Sequence, residues 1–206
     1  MARLLLIRHG ETIWNRERRF QGVMDIPLSE KGRAEARQLA AFLGDKHLDG
    51  IYSSHLSRAL DTARAVASCH DLEVQVVAEL SEINVGEWAG LGWDEIWEKW
   101  PELGRQWHAC PPESPAPPGG EYYPDFQKRC MEALDKIAAA HADTDQVAVV
   151  SHGGVIRAVM NKLLGLSWKT RGKFFVRNCS ITPMRWQPGG LVVVEGFNDV
   201  CHMNIE

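Results

Sequence analysis

Apolar and polar residues fall into short blocks along the chain that predict strands alternating with helices. Residues 3–7 form an apolar run halted by Arg8-His9-Gly10, as in a buried strand that ends in a loop. Ser29 precedes residues 30–43, where Ala36, Leu39, Ala40 and Leu43 recur at helical spacing. Its hydroxyl suits an N-cap, and Gly44 closes the segment. Residues 50–53 predict a second strand, 56–68 a second helix and 74–77 a β-branched strand. Residues 146–150 predict another buried strand, stopping at Ser151-His152-Gly153-Gly154, with a helix expected over 155–164. Residues 180–186 and 191–197 alternate like strands and are joined by the turn Gln187-Pro188-Gly189-Gly190.

Strands separated by helices imply an α/β three-layer sandwich, a mostly parallel sheet with helices on both faces. The closing hairpin makes that sheet mixed. Between residues 111 and 120 stand five Pro and two Gly. This is a loop and not an interdomain linker, because another strand and helix follow it. Trp93, Trp97 and Trp100 stand at i, i+4 and i+7, on one helical face. Trp107 lies beyond Pro101 and Gly104 and belongs to a separate turn. One domain is therefore expected over residues 1–206, with a helical cap and loop insertion at about 92–120. The tryptophans give the cap a packing face that can also wall a pocket.

Composition narrows the function. With 206 residues, 45% hydrophobic and 24% charged, the chain can bury a sizeable core. A net charge of −4 and a pI near 6.1 disfavour a nucleic-acid binder. No apolar run approaches the roughly 20 residues of a membrane span, and the N-terminal run is too short for a signal peptide. The five cysteines are odd in number, widely spaced and without a C-x-x-C pair. They argue against a disulfide framework or a thiolate zinc site and read as small buried apolar residues in a reducing cytoplasm. Charge is uneven: residues 1–20 carry five Arg against two Glu, while residues 71–110 carry nine acids against Lys99 and Arg105. A local positive cluster on an acidic protein suits a small anionic ligand better than a polymer.

Two histidines occupy equivalent places, His9 and His152, each directly after a predicted strand and each followed by Gly. Ligands of open α/β sheets sit outside the carboxyl ends of strands. If the two strands are neighbours, both imidazoles enter one crevice. Gly153-Gly154 opens a helix whose first N–H groups favour an anion. Arg58 follows a third strand and starts a helix. The other histidines, His47, His55, His70, His108, His141 and His202, read as surface or core residues. Arg16, Arg18 and Arg19 either steer an anionic substrate or are merely solvated.

Several blocks together carry a resemblance: Leu6-Ile7-Arg8-His9-Gly10-Glu11-Thr12, Phe20-Gln21-Gly22, Leu28-Ser29-Glu30-Lys31-Gly32, Ser54 to Ala63, Leu80-Ser81-Glu82-Ile83-Asn84-Val85-Gly86-Glu87-Trp88, Pro118-Gly119-Gly120-Glu121 and Val150-Ser151-His152-Gly153-Gly154. In this order they resemble the histidine phosphatase superfamily, also called phosphoglycerate mutase-like, over nearly the whole chain. The nearest likeness is to its broad-specificity and α-ribazole phosphatases. The resemblance implies that His9 is the nucleophile, that Arg8, Arg58 and His152 hold phosphate oxygens, and that Glu82 is the general acid. It also implies that Asn15, Thr12, Gln21, Gly22 and Gly153 contact phosphate or substrate.

The implied chemistry is physically coherent. Phosphoryl transfer needs positioning and charge stabilisation at the equatorial oxygens. Arginine forks match phosphate geometry, so no metal and no cofactor are expected. Imidazole is a competent nucleophile at neutral pH, and a covalent intermediate splits one hard step into two. Glu82 must give a proton in the first step and activate water in the second. A histidine phosphatase acting on a small phosphorylated metabolite is therefore expected, with no nucleic-acid or membrane partner. The sequence leaves open whether it works as a homodimer. The main rival is a phosphoglycerate mutase, disfavoured because only 36 residues separate Glu82 from Gly119. A silent phosphate-binding module is disfavoured by the intact set of candidate groups. A metal-dependent hydrolase is disfavoured by the lack of a ligand cluster.

Overall fold

The computed structural model describes residues 1–109, 115–166 and 174–203. In chain order the elements are β1 (Ala2–Arg8), α1 (Ile13–Arg16), α2 (Glu30–Gly44), β2 (Gly50–Ser53), α3 (Ser57–Ala67), β3 (Val74–Val76), α4 (Trp93–Lys99), α5 (Pro101–Ala109), α6 (Tyr123–Ala139), β4 (Gln146–Ser151), α7 (Gly153–Leu163), β5 (Ile181–Trp186) and β6 (Val192–Val194). Short 3₁₀ turns occupy Ala78–Leu80 and Gly86–Trp88. Among the described residues no helix is long and apolar enough to cross a membrane.

The strands form one mixed sheet in the order β3-β2-β4-β1-β5-β6. β1 pairs with β4 in parallel, Arg8 opposite Ser151, and with β5 antiparallel. Both central strands are buried on both faces, which explains their unbroken apolar runs. Leu4, Leu6, Val147 and Val149 pack to one side with Phe126, Leu134, Ile156 and Val159 of α6 and α7. Leu5, Ile7, Ala148 and Val150 pack to the other with Leu39, Leu43, Ala63 and Val66 of α2 and α3. The three layers thus follow from the two-residue period of the strands meeting helical stripes. Each fully buried Leu or Val contributes about 1.5–3 kcal/mol to this sandwich.

The helix ends follow local chemistry. The Ser29 hydroxyl accepts the Gly32 N–H at 3.0 Å, as an N-cap should. Thr12 and Asn15 form a reciprocal capping box on the single turn of α1.

Several boundaries depart from the sequence pattern. α7 begins at Gly153, two residues earlier than expected, so His152 itself is the N-cap residue. β6 spans only three residues of the expected seven, and β3 ends at Val76. The pattern assigned nothing to the 17 residues of α6, although Phe126, Cys130, Leu134 and Ile137 form its buried stripe. Trp93 and Trp97 lie on α4, but Trp100 has left the helix, because Pro101 cannot follow a helical residue comfortably. Trp107 does belong to a separate helix, α5. The cysteine reading needs correction too. Cys130 and Cys179 are buried, but Cys69 and Cys201 are exposed. Cys110 and residues 111–114 of the Pro-rich loop lie outside the described residues.

Candidate active site

Because β1 and β4 are parallel neighbours, the residues that leave their carboxyl ends meet. The His9 N–H donates to the Ser151 carbonyl at 2.9 Å. The His9 and His152 rings lie 5.2 Å apart, centre to centre. Both are buried. His9 Nδ1 lies 2.7 Å from the Gly10 carbonyl. A carbonyl only accepts, so Nδ1 carries the proton and Nε2 keeps its lone pair. The peptide behind His9 is pinned as well, with the Asn178 amide donating to the His9 carbonyl at 2.9 Å. Burial, then Arg58 and Arg8, hold the His9 imidazole well below its usual titration range, so it is neutral. Burial and Arg58 act likewise on His152. Its Nε2 lies 2.9 Å from Ser54 Oγ.

Two guanidinium groups flank these rings. Arg58, in the first turn of α3, donates to the carbonyls of Gly22 and Met24 at 2.8 and 2.7 Å. Gly22 can turn its carbonyl that way because it adopts φ 51°, a conformation that penalises any side chain. Arg8 donates to the Val176 carbonyl. Burial and the nearby Arg157 lower the Arg8 pKa to about 10, so it remains charged at neutral pH. Arg8 Nε, Arg58 Nε and His152 Nδ1 are all buried without a hydrogen-bond partner. Buried polar groups are rarely left so, and three around one imidazole mark a place for a ligand with several acceptor oxygens.

Glu82 reaches the same place from the turn after Ala78–Leu80. Its Oε1 accepts the Ile83 N–H at 2.9 Å and its Oε2 the Gly154 N–H at 3.0 Å. Ser151 Oγ donates to the Leu80 carbonyl at 2.7 Å and ties this turn to β4. Arg129 of α6 grips the segment from the other side. It donates to the carbonyls of Glu79, Ser81 and Glu82, and Glu121 holds its guanidinium through two contacts of 2.7 and 2.9 Å.

These groups open into a cavity of about 520 Å³. Arg8, His9, Arg58 and Glu82 line it together with Asn15, Gln21, Gly22 and Gly153. His152 is fully buried and is not among the cavity-lining residues; its ring meets that of His9 at an interplanar angle of 60°. Thr12, expected at the pocket, does not line it. It is buried one layer back, with Oγ1 capping α1 and 3.0 Å from Gln21 Oε1. It therefore orients Asn15 and Gln21. Phe20, Trp93, Trp107, Tyr123 and Phe126 supply apolar wall.

Two basic residues at the cavity, His108 and Arg157, escaped sequence reasoning, and a third, Arg19, was open between steering an anionic substrate and being solvated. His108, read as a surface or core residue, lines it in ring contact with Trp93 and Trp97. Arg19 lines it while bonded to the Gly90 carbonyl and, at 3.0 Å, to Glu95, whereas Arg16 and Arg18 are exposed away from it. Arg157 lines it from the second turn of α7. Its place one turn past Gly153 was a readable signal. Among the described residues no three His, Cys, Asp or Glu side chains cluster as a metal would require.

Comparison with known proteins shows the family to which the chain belongs. A family model described as the histidine phosphatase superfamily (branch 1) matches residues 4–199. The metal-independent phosphoserine phosphatase of Arabidopsis thaliana is 35% identical over 99% of this chain and 84% of its own. Phosphoserine phosphatase 1 of Hydrogenobacter thermophilus is 35% identical over 98% and 95%. The structure of the phosphoserine phosphatase of Entamoeba histolytica in complex with 3-phosphoglyceric acid superposes with a TM-score of 0.87 and 30% identity, covering 98% of this chain and 99% of that one.

Proposed function

The chain belongs to the histidine phosphatase superfamily, and on that premise we propose that it hydrolyses a small phosphate monoester through a phosphohistidine on His9. One observation carries the assignment of roles. A neutral imidazole with a free Nε2 is ringed by three buried, unpartnered nitrogens, Arg8 Nε, Arg58 Nε and His152 Nδ1.

In the first step His9 Nε2 attacks phosphorus and the ester P–O bond breaks. Glu82 gives its proton to the departing alkoxide. In the second step Glu82, now ionised, takes a proton from water. The resulting hydroxide attacks phosphorus, and the P–N bond breaks to release inorganic phosphate and neutral His9. Arg8 and Arg58 supply the positive charge that the transferring group needs. His152 adds a hydrogen-bond donor; in the free site burial and Arg58 lower its pKa. With Ser54 Oγ–H donating to Nε2, the His152 Nδ1–H points its donor at a phosphate oxygen. Asn15 and Gln21, set by Thr12, and Gly22 and Gly153 complete the phosphate and substrate contacts.

The described part of the insertion expected at about 92–120, residues 92–109 and 115–120, serves as a cap over this site, a reading supported by Trp93, Trp107 and His108 in the cavity wall.

The test is single-turnover phosphoenzyme formation with an alkyl phosphate and with p-nitrophenyl phosphate. His9→Ala should form no acid-labile phosphoenzyme with either. Glu82→Gln should slow the alkyl ester far more, because the nitrophenolate leaves without a proton. Equal losses would remove Glu82 from the acid role. Return of the phosphoryl group to a phosphoglycerate, in place of release to water, would make the protein a mutase.

A further inference from the structure

The phosphate group accounts for Arg8 and Arg58, and of the two other guanidinium groups that line the cavity, Arg19 is paired with Glu95 and Arg157 is left over. Arg157 is half-buried on α7 and lines the cavity. Among the described residues it makes no hydrogen bond and no ion pair. The other cavity arginines are all tied to protein oxygens: Arg8 to Val176, Arg58 to Gly22 and Met24, and Arg19 to Gly90 and Glu95. Arg157 instead stands beside another cation. A Cβ at Gly153 would lie 3.4 Å from Arg8 Nε and 3.5 Å from Arg157 Nη1, so the two guanidinium groups share the open face of that glycine. Their mutual repulsion contributes to the lowered Arg8 pKa.

Two like charges side by side in a partly enclosed site are unfavourable unless a ligand neutralises them. Glu82 is the one carboxylate in the described cavity wall, and the proposed reaction needs it protonated when substrate binds. A phosphate dianion balances Arg8 and Arg58. Arg157 then offers one further planar, singly charged fork next to the phosphate position. A second phosphate would bring two negative charges to this single cation. A carboxylate brings one and matches the fork with two parallel hydrogen bonds.

We propose that the substrate is a phosphate monoester that also bears a carboxylate a few bonds from phosphorus, and that Arg157 binds this carboxylate. The proposal rests on the phosphatase reading given above.

The experiment compares kcat/KM for 3-phosphoglycerate and glycerol 3-phosphate, which differ by a carboxylate in place of a hydroxymethyl group. The native protein should prefer the carboxylate by about tenfold to a hundredfold, as charge-assisted hydrogen bonds allow. Arg157→Met should collapse that ratio to within about threefold, mainly by raising KM for 3-phosphoglycerate. Arg157→Glu should reverse the preference. A native ratio near one, or a ratio unchanged in Arg157→Met, overturns the proposal while leaving the phosphatase reading intact. Failure to form a phosphoenzyme with either substrate or with p-nitrophenyl phosphate would instead overturn the phosphatase reading itself.

Discussion

The Glu82 carboxylate lies against the bare Cα of Gly154, with Oε2 accepting the Gly154 N–H at 3.0 Å, and a Cβ there would overlap Oε1. The glycine therefore acts through what it lacks. Its missing side chain is the space in which the proposed acid sits.

Gly154→Ala should push Glu82 out of position while leaving His9 and the arginines in place. Phosphoenzyme formation from an alkyl phosphate should fall roughly 10²-fold or more, the usual contribution of a positioned acid. With p-nitrophenyl phosphate it should fall much less. Rapid-quench measurement of both rates decides the matter, and equal losses would show that the methyl group disrupts the whole site.

Arg129 makes a similar point through contacts. It spans three carbonyls of the turn that carries Glu82 and pairs with Glu121, so Arg129→Met strands several half-buried acceptors. A loss of roughly 2–3 kcal/mol in urea unfolding is expected. Arg129→Lys should recover less than half of it, because one ammonium cannot serve the same fork of acceptors. Full rescue by lysine would mean that charge alone matters there.

Stability should depend on pH through His9 and His152. Both are fully buried and held neutral, with folded values below the unfolded 6.5. Below about pH 6.5 the unfolded chain takes up protons that the folded chain refuses. Their contribution is thus complete above that pH and is lost as pH falls, by up to about 1.4 kcal/mol per pH unit for each ring. Urea unfolding at pH 7.5, 6.5 and 5.5 should show the decline, and His152→Asn should flatten it. An unchanged slope in that variant would mean that His152 is protonated in the folded state.

Activity should survive EDTA, since Arg8 and Arg58 already bring fixed positive charge to the phosphate position. Complete loss with the chelator, restored by Mg²⁺ or Zn²⁺, would contradict the roles assigned to these arginines.

What the sequence made legible was whatever depends on short-range pattern. The central strands were readable because burial on both faces leaves unbroken apolar runs, and the Ser29 helix because its cap and stripe are local. His9 and His152 could be paired because both end such strands. The misses depend on distant contacts. Arg129 lies on α6 with no motif around it, and its role exists only because Glu79 to Glu82 pack beside that helix. His108 and Arg157 became cavity residues when the helices of 93–109 and α7 came together around one space. Thr12 stands in a motif but faces inward, since its hydroxyl is needed to cap the turn that follows. Periodicity could not place Trp100, because Pro101 overrides the helical spacing.

The neighbours of β1 have a consequence for how the chain acquires its shape. Residues 2–8 leave the ribosome well before their ladder partners, which are residues 146–151 on one edge and 181–186 on the other. Such distant pairing is slow, because long loops must close before any contact rewards them. During synthesis the segment Leu4 to Ile7 waits as an open, apolar ribbon with both edges unpaired, the kind of stretch that invites association between nascent chains. Arg3, at its start, finds its counter-ion Glu195 only beyond β6, 2.6 Å away in the finished fold. Until then it is a free charge flanking the ribbon, placed where a gatekeeper against aggregation is useful. His9 closes that same segment, so a product that stops before β4 and α7 cannot assemble the site, and activity should arise only once residues 146–157 have emerged.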